Sequence, residues 1–196
     1  MLMSHQDDIE YQLDTLAIRT GHTRSFEGEH SEPIFLTSSF VYENAAEAAA
    51  KFSGAEPGNI YSRFTNPTVA MFEKRLAALE GAERAVATST GMAAIMAVAM
   101  AFLKLGDHVI CSRAVFGSTV SLFEKYIAKF GVTVDFVDLS DLNAWKNAIK
   151  PETKLLFVES PSNPLSEIAD IQALADIAHA NGALLAIDNS FCTPVL

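Results

Sequence analysis

Four short runs in this 196-residue chain gather side chains able to do chemistry. Ser89-Thr90-Gly91-Met92 stands where a helix begins. Exposed backbone N–H groups and the positive end of the helix dipole make such a turn an anion site, usually for phosphate. Gly91 there would let the backbone approach closely. Tyr61-Ser62-Arg63 offers a guanidinium that can fork onto a phosphate, with a phenol hydroxyl beside it. Glu159-Ser160-Pro161-Ser162-Asn163-Pro164 brings a carboxylate and an amide. Asp188-Asn189-Ser190 follows the apolar run Leu184-Leu185-Ala186-Ile187, so Asp188 is a carboxylate leaving a buried strand. Phe116, in Val115-Phe116-Gly117, is a ring able to lie flat on a heteroaromatic one.

Each run has a plainer reading. Gly91 can be an ordinary helix start, Tyr61 and Arg63 a solvated loop pair, Asp188-Asn189 common turn chemistry, and Phe116 plain core. The placement of all but Tyr61 and Arg63 after strands argues for one pocket. A phosphate site, a carboxylate for a cationic ring nitrogen and an amide for a phenolic oxygen together describe pyridoxal 5'-phosphate (PLP), whose electron-sink chemistry needs a protonated pyridinium. The GxGxxG signature of a nicotinamide site is absent. The five histidines show no metal-ligand spacing, so no metal is expected.

The elements that must hold these residues alternate from about Glu83 onward. Apolar strand candidates lie at Arg84–Thr88, His108–Ser112, Val132–Val137, Leu155–Glu159 and Ala183–Ile187. Helix candidates lie between them at Met92–Leu105, Ser118–Phe130, Leu142–Ile149 and Ile171–Asn181. Gly131 and Gly182 mark helix stops, and Ser140 and Asp170 serve as N-caps. Such alternation predicts an α/β fold with a mostly parallel sheet flanked by helices. Ligands bind outside the carboxyl ends of such strands, where the chemical runs stand. Before this body, Leu16–Thr20 and Ala45–Phe52 read as short helices in loop-like sequence. Asn66-Pro67 then opens a stronger helix with the stripe Val69, Phe72, Leu76, Leu79, ended by Gly81. The expected organisation is an arm over residues 1–60 that contacts a neighbouring subunit, then part of a cofactor-binding domain over 61–196.

Composition narrows the function classes. Hydrophobic residues make up 49% and charged residues 19%, a globular balance. A net charge of -10 argues against nucleic-acid and anionic-membrane partners. The N-terminal MLMSHQDDIEYQ is polar and acidic, unlike a signal peptide. Cys111 and Cys192 stand apart without CxxC pairing and read as thiols of a reducing, cytoplasmic compartment.

The ordered motifs Tyr61-Ser62-Arg63 with Asn66-Pro67-Thr68, Ser89-Thr90-Gly91-Met92-Ala93-Ala94, Glu159-Ser160-Pro161-Ser162-Asn163-Pro164 and Asp188-Asn189-Ser190-Phe191 resemble the Cys/Met-metabolism family of PLP enzymes. The resemblance runs from about Leu13 onward and implies the large-domain fold of aspartate-aminotransferase-like (fold type I) transferases. It implies that Gly91 and Met92 bind the cofactor phosphate, that Phe116 stacks on the ring, and that Asn163 lies near the phenolic oxygen. Asp188 would pair with the ring nitrogen, with Ser190 beside it, and Glu159 and Ser160 would wall the substrate pocket. Tyr61 and Arg63 would reach the phosphate of an adjacent subunit in a homo-oligomer, a dimer of dimers.

Two departures qualify the picture. Many relatives carry tyrosine where Phe116 stands, and Ala114-Val115-Phe116-Gly117-Ser118-Thr119 looks like the branch that makes homocysteine from succinylated homoserine and sulfide. Acetyl-ester sulfhydrylase, cystathionine γ-synthase and methionine γ-lyase chemistries are the alternatives, with a non-catalytic PLP-binding or assembly fragment as a reading of another class. The family's Schiff-base lysine motif is not found within these residues. The resemblance places it beyond Leu196, so no catalytic residue is expected in this chain, and the chain alone is expected to be inactive.

Overall fold

The computed structural model describes residues 11–192 and 194. They divide into two compact units, with the break between Ala87 and Thr88. The expected boundary at residue 60 therefore falls inside the first unit, which also holds Tyr61 and Arg63.

In the first unit, α1 (Leu13–Arg19), α2 (Ala45–Ser53) and α3 (Pro67–Leu79) are joined by loops. The helix expected over Leu16–Thr20 thus starts three residues earlier. Asn66 caps α3, its side chain accepting from Thr68 N–H at 2.9 Å, and Pro67 opens the first turn. The Asn66 amide also donates to Phe35 O at 3.1 Å and to Ser62 Oγ at 2.9 Å. Arg75 of α3 donates to Thr20 O at 3.0 Å and pairs with Glu32. The N-terminal segment expected to rest on a neighbour is therefore also tied to its own α3. Gly21 is held to glycine twice over, by φ 83° and by Met71 O, which would lie 2.7 Å from an added Cβ.

The second unit is built on a four-stranded parallel sheet of β1 (His108–Ser112), β2 (Thr133–Val137), β3 (Thr153–Glu159) and β4 (Leu184–Asp188). Its order is β2-β1-β3-β4. Helices α4 (Gly91–Phe102), α5 (Gly117–Ser121), α6 (Leu142–Ala148) and α7 (Ile171–Ala180) accompany it. A π-helical turn, Leu122–Tyr126, and a 3₁₀ turn, Ile127–Phe130, continue α5.

Strand alternation divides the apolar residues between two faces. Val109, Cys111, Leu155 and Phe157 pack with Ile95 and Ala99 of α4 and with Phe123 and Ile127 beyond α5. Ile110, Leu156 and Val158 pack with Trp145 of α6 and Leu174, Ile177 and Ala178 of α7. With both faces covered, β1 and β3 read as unbroken apolar runs, which is why the sequence located them. Burial in the first cluster pushes the Cys111 thiol pKa strongly upward, so it is an inert packing group.

Two expectations differ from the structure. Arg84–Thr88 forms no strand among the described residues. Val86 is 81% exposed, and Ala87 N–H donates to the Glu73 side chain at 2.8 Å instead. The cap of α6 is Asp141, which accepts from Asn143 and Ala144 N–H, each at 3.0 Å, because Ser140 turns back to Asp138 Oδ1. Asp170 caps α7 as expected, accepting from Ala173 N–H at 3.0 Å.

At the amino-terminal end of the sheet, buried His108 bonds Thr153 Oγ1 through Nδ1 at 2.8 Å. Its Nε2 lies 3.3 Å from Asp135 and 3.4 Å from the Lys150 ammonium. Burial, reinforced by Lys150, depresses the His108 pKa even though Asp135 opposes the shift. The folded state thus binds this proton less readily than the unfolded chain. The stabilisation is complete above the ordinary histidine value of about 6.5 and is lost as pH falls below it. Denaturant unfolding at pH 5 and pH 7 should show a loss of stability that is smaller in His108→Gln; equal pH dependence in the two proteins contradicts the assignment.

Candidate functional site

The sheet order dictates where a site can form. The chain leaves β1 toward α5 on one face and leaves β3 toward α7 on the other, so the two connections part at the carboxyl ends of neighbouring strands. Ligands lodge in such a crevice because nothing between the diverging loops fills it. Here a cleft of about 250 Å³ opens there, bounded by Gly91, Met92, Phe116, Glu159, Asn163, Asp188 and Ser190, with Ile95, Thr119 and Phe191 completing the wall.

Strand register puts the two carboxylates side by side. Glu159 pairs with Asp188 at the last rung of the β3–β4 ladder. Phe157 and Ala186, two residues back along each strand, pack on the α4 side of the sheet, so Glu159 and Asp188 face that same side. Glu159 is only 3% exposed, and its Oε2 accepts the Phe116 N–H at 2.6 Å, spanning the crevice from β3 to the segment after β1. Burial raises the Glu159 pKa, and the Asp188 charge adds to that rise while the Phe116 N–H opposes it. Held by this bond at the N-cap of α5, Phe116 is 49% exposed and lines the cleft.

Asp188 is oriented by the loop that follows it. Its Oδ1 accepts from Ser190 N–H at 3.1 Å and from Ser190 Oγ–H at 2.5 Å. Ser190 thus both lines the cleft and fixes the carboxylate. Asn163 sits in a closed turn, in which Ser162 N–H donates to Glu167 O at 2.9 Å and Glu167 N–H to Ser162 Oγ at 3.0 Å. Opposite, the α4 amino terminus begins at Gly91, with Thr90 as its cap accepting from Ala93 N–H at 3.0 Å.

The structure therefore brings together Gly91, Met92, Phe116, Glu159, Asn163, Asp188 and Ser190. Ser160, expected in the pocket wall, does not line the cleft. Successive side chains at a strand end point to opposite faces, and Ser160 turns to the α7 side, where its Oγ accepts Ala169 N–H at 3.0 Å. Its backbone N–H donates to Asp188 O at 3.1 Å, so it braces the site from behind. Tyr61 and Arg63 belong to the first unit. There a short turn closes on Tyr61 O, which accepts from Phe64 and Thr65 N–H at 2.8 and 2.9 Å, and the Arg63 guanidinium lies 4.9 Å from the Tyr61 ring centroid. Both side chains are exposed. Ile95 and Thr119 had gone unnoticed, although each stands three residues after an expected site residue, on the same helical face as Met92 or Phe116.

The residues present fit PLP. A Cβ built on Gly91, which lines the cleft, meets no heavy atom within 4 Å, so protein packing does not demand glycine there. A 12-residue helix amino terminus for phosphate, an exposed ring face, a carboxylate and an amide make up the donor and acceptor set. None of the chain's eight lysines lines the cleft.

Because the fold holds Glu159 at a raised pKa, its ionisation costs stability that is fully regained below the ordinary carboxylate range. Glu159→Gln keeps an acceptor for Phe116 N–H and removes that cost, so its denaturation midpoint at pH 7 should equal or exceed the parent's. Glu159→Leu strands the buried N–H and should lose about 1–3 kcal/mol. Equal losses in both variants contradict the proposed bond.

Comparison with known proteins gives the family. The family model for Cys/Met metabolism PLP-dependent enzymes matches residues 14–196. The O-succinylhomoserine sulfhydrylase of Pseudomonas aeruginosa is 64% identical over 184 residues, covering 94% of this chain and 46% of that protein. An L-methionine gamma-lyase of Fusobacterium nucleatum subsp. polymorphum is 40% identical, covering 95% of this chain and 48% of that protein. A solved O-acetylhomoserine (thiol)-lyase of Campylobacter jejuni, with N'-pyridoxyl-lysine-5'-monophosphate, superposes with a TM-score of 0.90 at 34% identity, covering 95% of this chain and 46% of that one. The chain spans about half the length of the curated relatives it matches. With the cleft and its matched motifs in view, the chain belongs to the Cys/Met metabolism family of PLP-dependent enzymes.

Proposed function

We propose that the protein carrying this chain is a PLP-dependent O-succinylhomoserine sulfhydrylase, replacing the succinyl group of the activated homoserine with sulfide to give homocysteine. The observation that carries this reading is the 64% identity to a sulfhydrylase of that name, well above the 40% to an L-methionine gamma-lyase. Phe116 supports it: the ring stacks without a hydroxyl and so cannot serve there as a proton donor.

When bound, the cofactor supplies an electron sink whose strength depends on a protonated ring nitrogen. Asp188, oriented by Ser190, would hold that proton, with its negative charge beside the developing positive one. Gly91 and Met92 N–H groups would bind phosphate at the α4 amino terminus. Phe116 would cover one ring face, kept in place by Glu159, and Asn163 would donate its amide hydrogens to the ring's oxygen substituent. The Cα proton needs a base other than these groups, since no lysine of this chain lines the cleft.

Tyr61 and Arg63 would complete the phosphate site of a neighbouring copy in a homo-oligomer, in a cytoplasmic enzyme. The support is their exposure and mutual stacking, together with the absence of a carboxylate partner for Arg63 among the described residues. Among the described residues no helix is long and apolar enough to cross a membrane.

Three measurements test this reading. The protein carrying the chain, given O-succinylhomoserine, O-acetylhomoserine or methionine with sulfide or cysteine, should convert the succinyl ester with sulfide fastest; methionine cleavage alone contradicts the sulfhydrylase reading. Gly91→Ala should weaken pyridoxal phosphate binding at least about tenfold while leaving thermal stability equal or higher, because Ala is the better helix former. Mixing inactive Arg63→Ala and Asp188→Ala proteins after co-refolding should restore activity if sites are shared between copies. No recovery sinks the shared-site proposal.

A further inference from the structure

Thr119 is fully buried and lies in the wall of the cleft, yet its Oγ1 makes no hydrogen bond within the protein. A buried hydroxyl left unpaired costs about 1–3 kcal/mol, so such an atom calls for a partner. Its place in the helix explains why the chain supplies none. Inside a helix a threonine hydroxyl usually bonds the carbonyl three or four residues back. Thr119 is the third residue of α5, so the residue four back, Val115, precedes the helix, and Phe116 O three back already accepts from two donors, Thr119 N–H at 2.8 Å and Val120 N–H at 3.3 Å. The neighbours on this wall, Met92 and Ile95, are apolar. Thr119 borders the cleft, so a ligand seated there is the candidate source of a polar atom.

We propose that Thr119 is a ligand-contacting residue whose hydroxyl hydrogen-bonds a polar atom of the phosphorylated pyridine seated over Phe116. This assignment rests on the cofactor reading above. It would add to Gly91, Asn163 and Asp188 a further contact from the wall of the same cleft. The free protein carries the cost of the unpaired hydroxyl, and ligand binding removes it. Threonine therefore trades stability of the empty cleft for affinity, and the two effects have opposite signs in a single substitution.

The test uses the full 196-residue chain and pyridoxamine 5'-phosphate, which carries the ring and phosphate but no aldehyde to react with lysines. Binding is followed by calorimetry, and stability without ligand by denaturant unfolding, for the parent, Thr119→Val and Thr119→Ser. Valine keeps the shape and replaces the hydroxyl with a methyl group. Thr119→Val should bind the probe about 3- to 10-fold more weakly while unfolding, without ligand, at an equal or higher denaturant concentration. Thr119→Ser should bind within about twofold of the parent, since it keeps the hydroxyl. Two results overturn the proposal: unchanged affinity in Thr119→Val, or a loss of ligand-free stability in that variant, which means the hydroxyl has a partner inside the protein. No binding by the parent chain contradicts the cofactor reading itself and the Thr119 contact with it.

Discussion

The bond from Phe116 N–H to the Glu159 carboxylate, 2.6 Å long, holds together the edge on which the candidate site depends. In a sheet ordered β2-β1-β3-β4, the segments after β1 and β3 leave toward opposite faces. That divergence opens the crevice, and without a tie across it the wall bearing Phe116 would be free to move relative to the wall bearing Asp188. Glu159 supplies the tie from the end of β3, in register with Asp188 on β4. The arrangement has a cost. A carboxylate buried beside another carboxylate is pushed toward its neutral form, and only a single backbone donor offsets this. Two acidic groups on one rung, with few donors of their own, leave a place electrostatically suited to a cationic ring nitrogen.

An acidic protein that binds an anionic cofactor needs a local source of positive potential. The chain's net charge of -10 gives none at long range. The α4 amino terminus would provide it instead through oriented N–H groups, beside the open space at Gly91. One cleft is thus lined both by a helix amino terminus suited to an anion and by carboxylates suited to a cation. A molecule with both a phosphate and a protonated ring matches that lining.

Much of this could be read from the sequence because the second unit obeys local rules. Strands β1 and β3, buried on both faces, appear as apolar runs, and caps such as Asn66 and Asp170 stand one residue ahead of their helices. The strand-end rule then singles out Phe116, Glu159, Asn163 and Asp188 as neighbours, whereas Gly91 follows a segment that forms no strand. What failed was set by non-local partners. Arg84–Thr88 has the composition of a strand, but pairing depends on a neighbour that composition does not encode, and here Ala87 bonds a side chain. Ser160 follows Glu159 directly, and only the pleat reveals that it faces Ala169 and not the cleft. The choice between Ser140 and Asp141 as cap turned on Ser140 having a second acceptor in Asp138. Thr119 escaped notice because an unpaired hydroxyl is a property of packing, absent from any motif.

The central claim is that Asp188 keeps a ring nitrogen protonated in this cleft. It is tested most directly by the ¹⁵N chemical shift of ring-labelled pyridoxamine 5'-phosphate bound to the chain, at a pH where the free probe has lost its ring proton. The account predicts a protonated nitrogen with the parent chain and an unprotonated one with Asp188→Asn. A nitrogen unprotonated in both, or protonated in both, would contradict it.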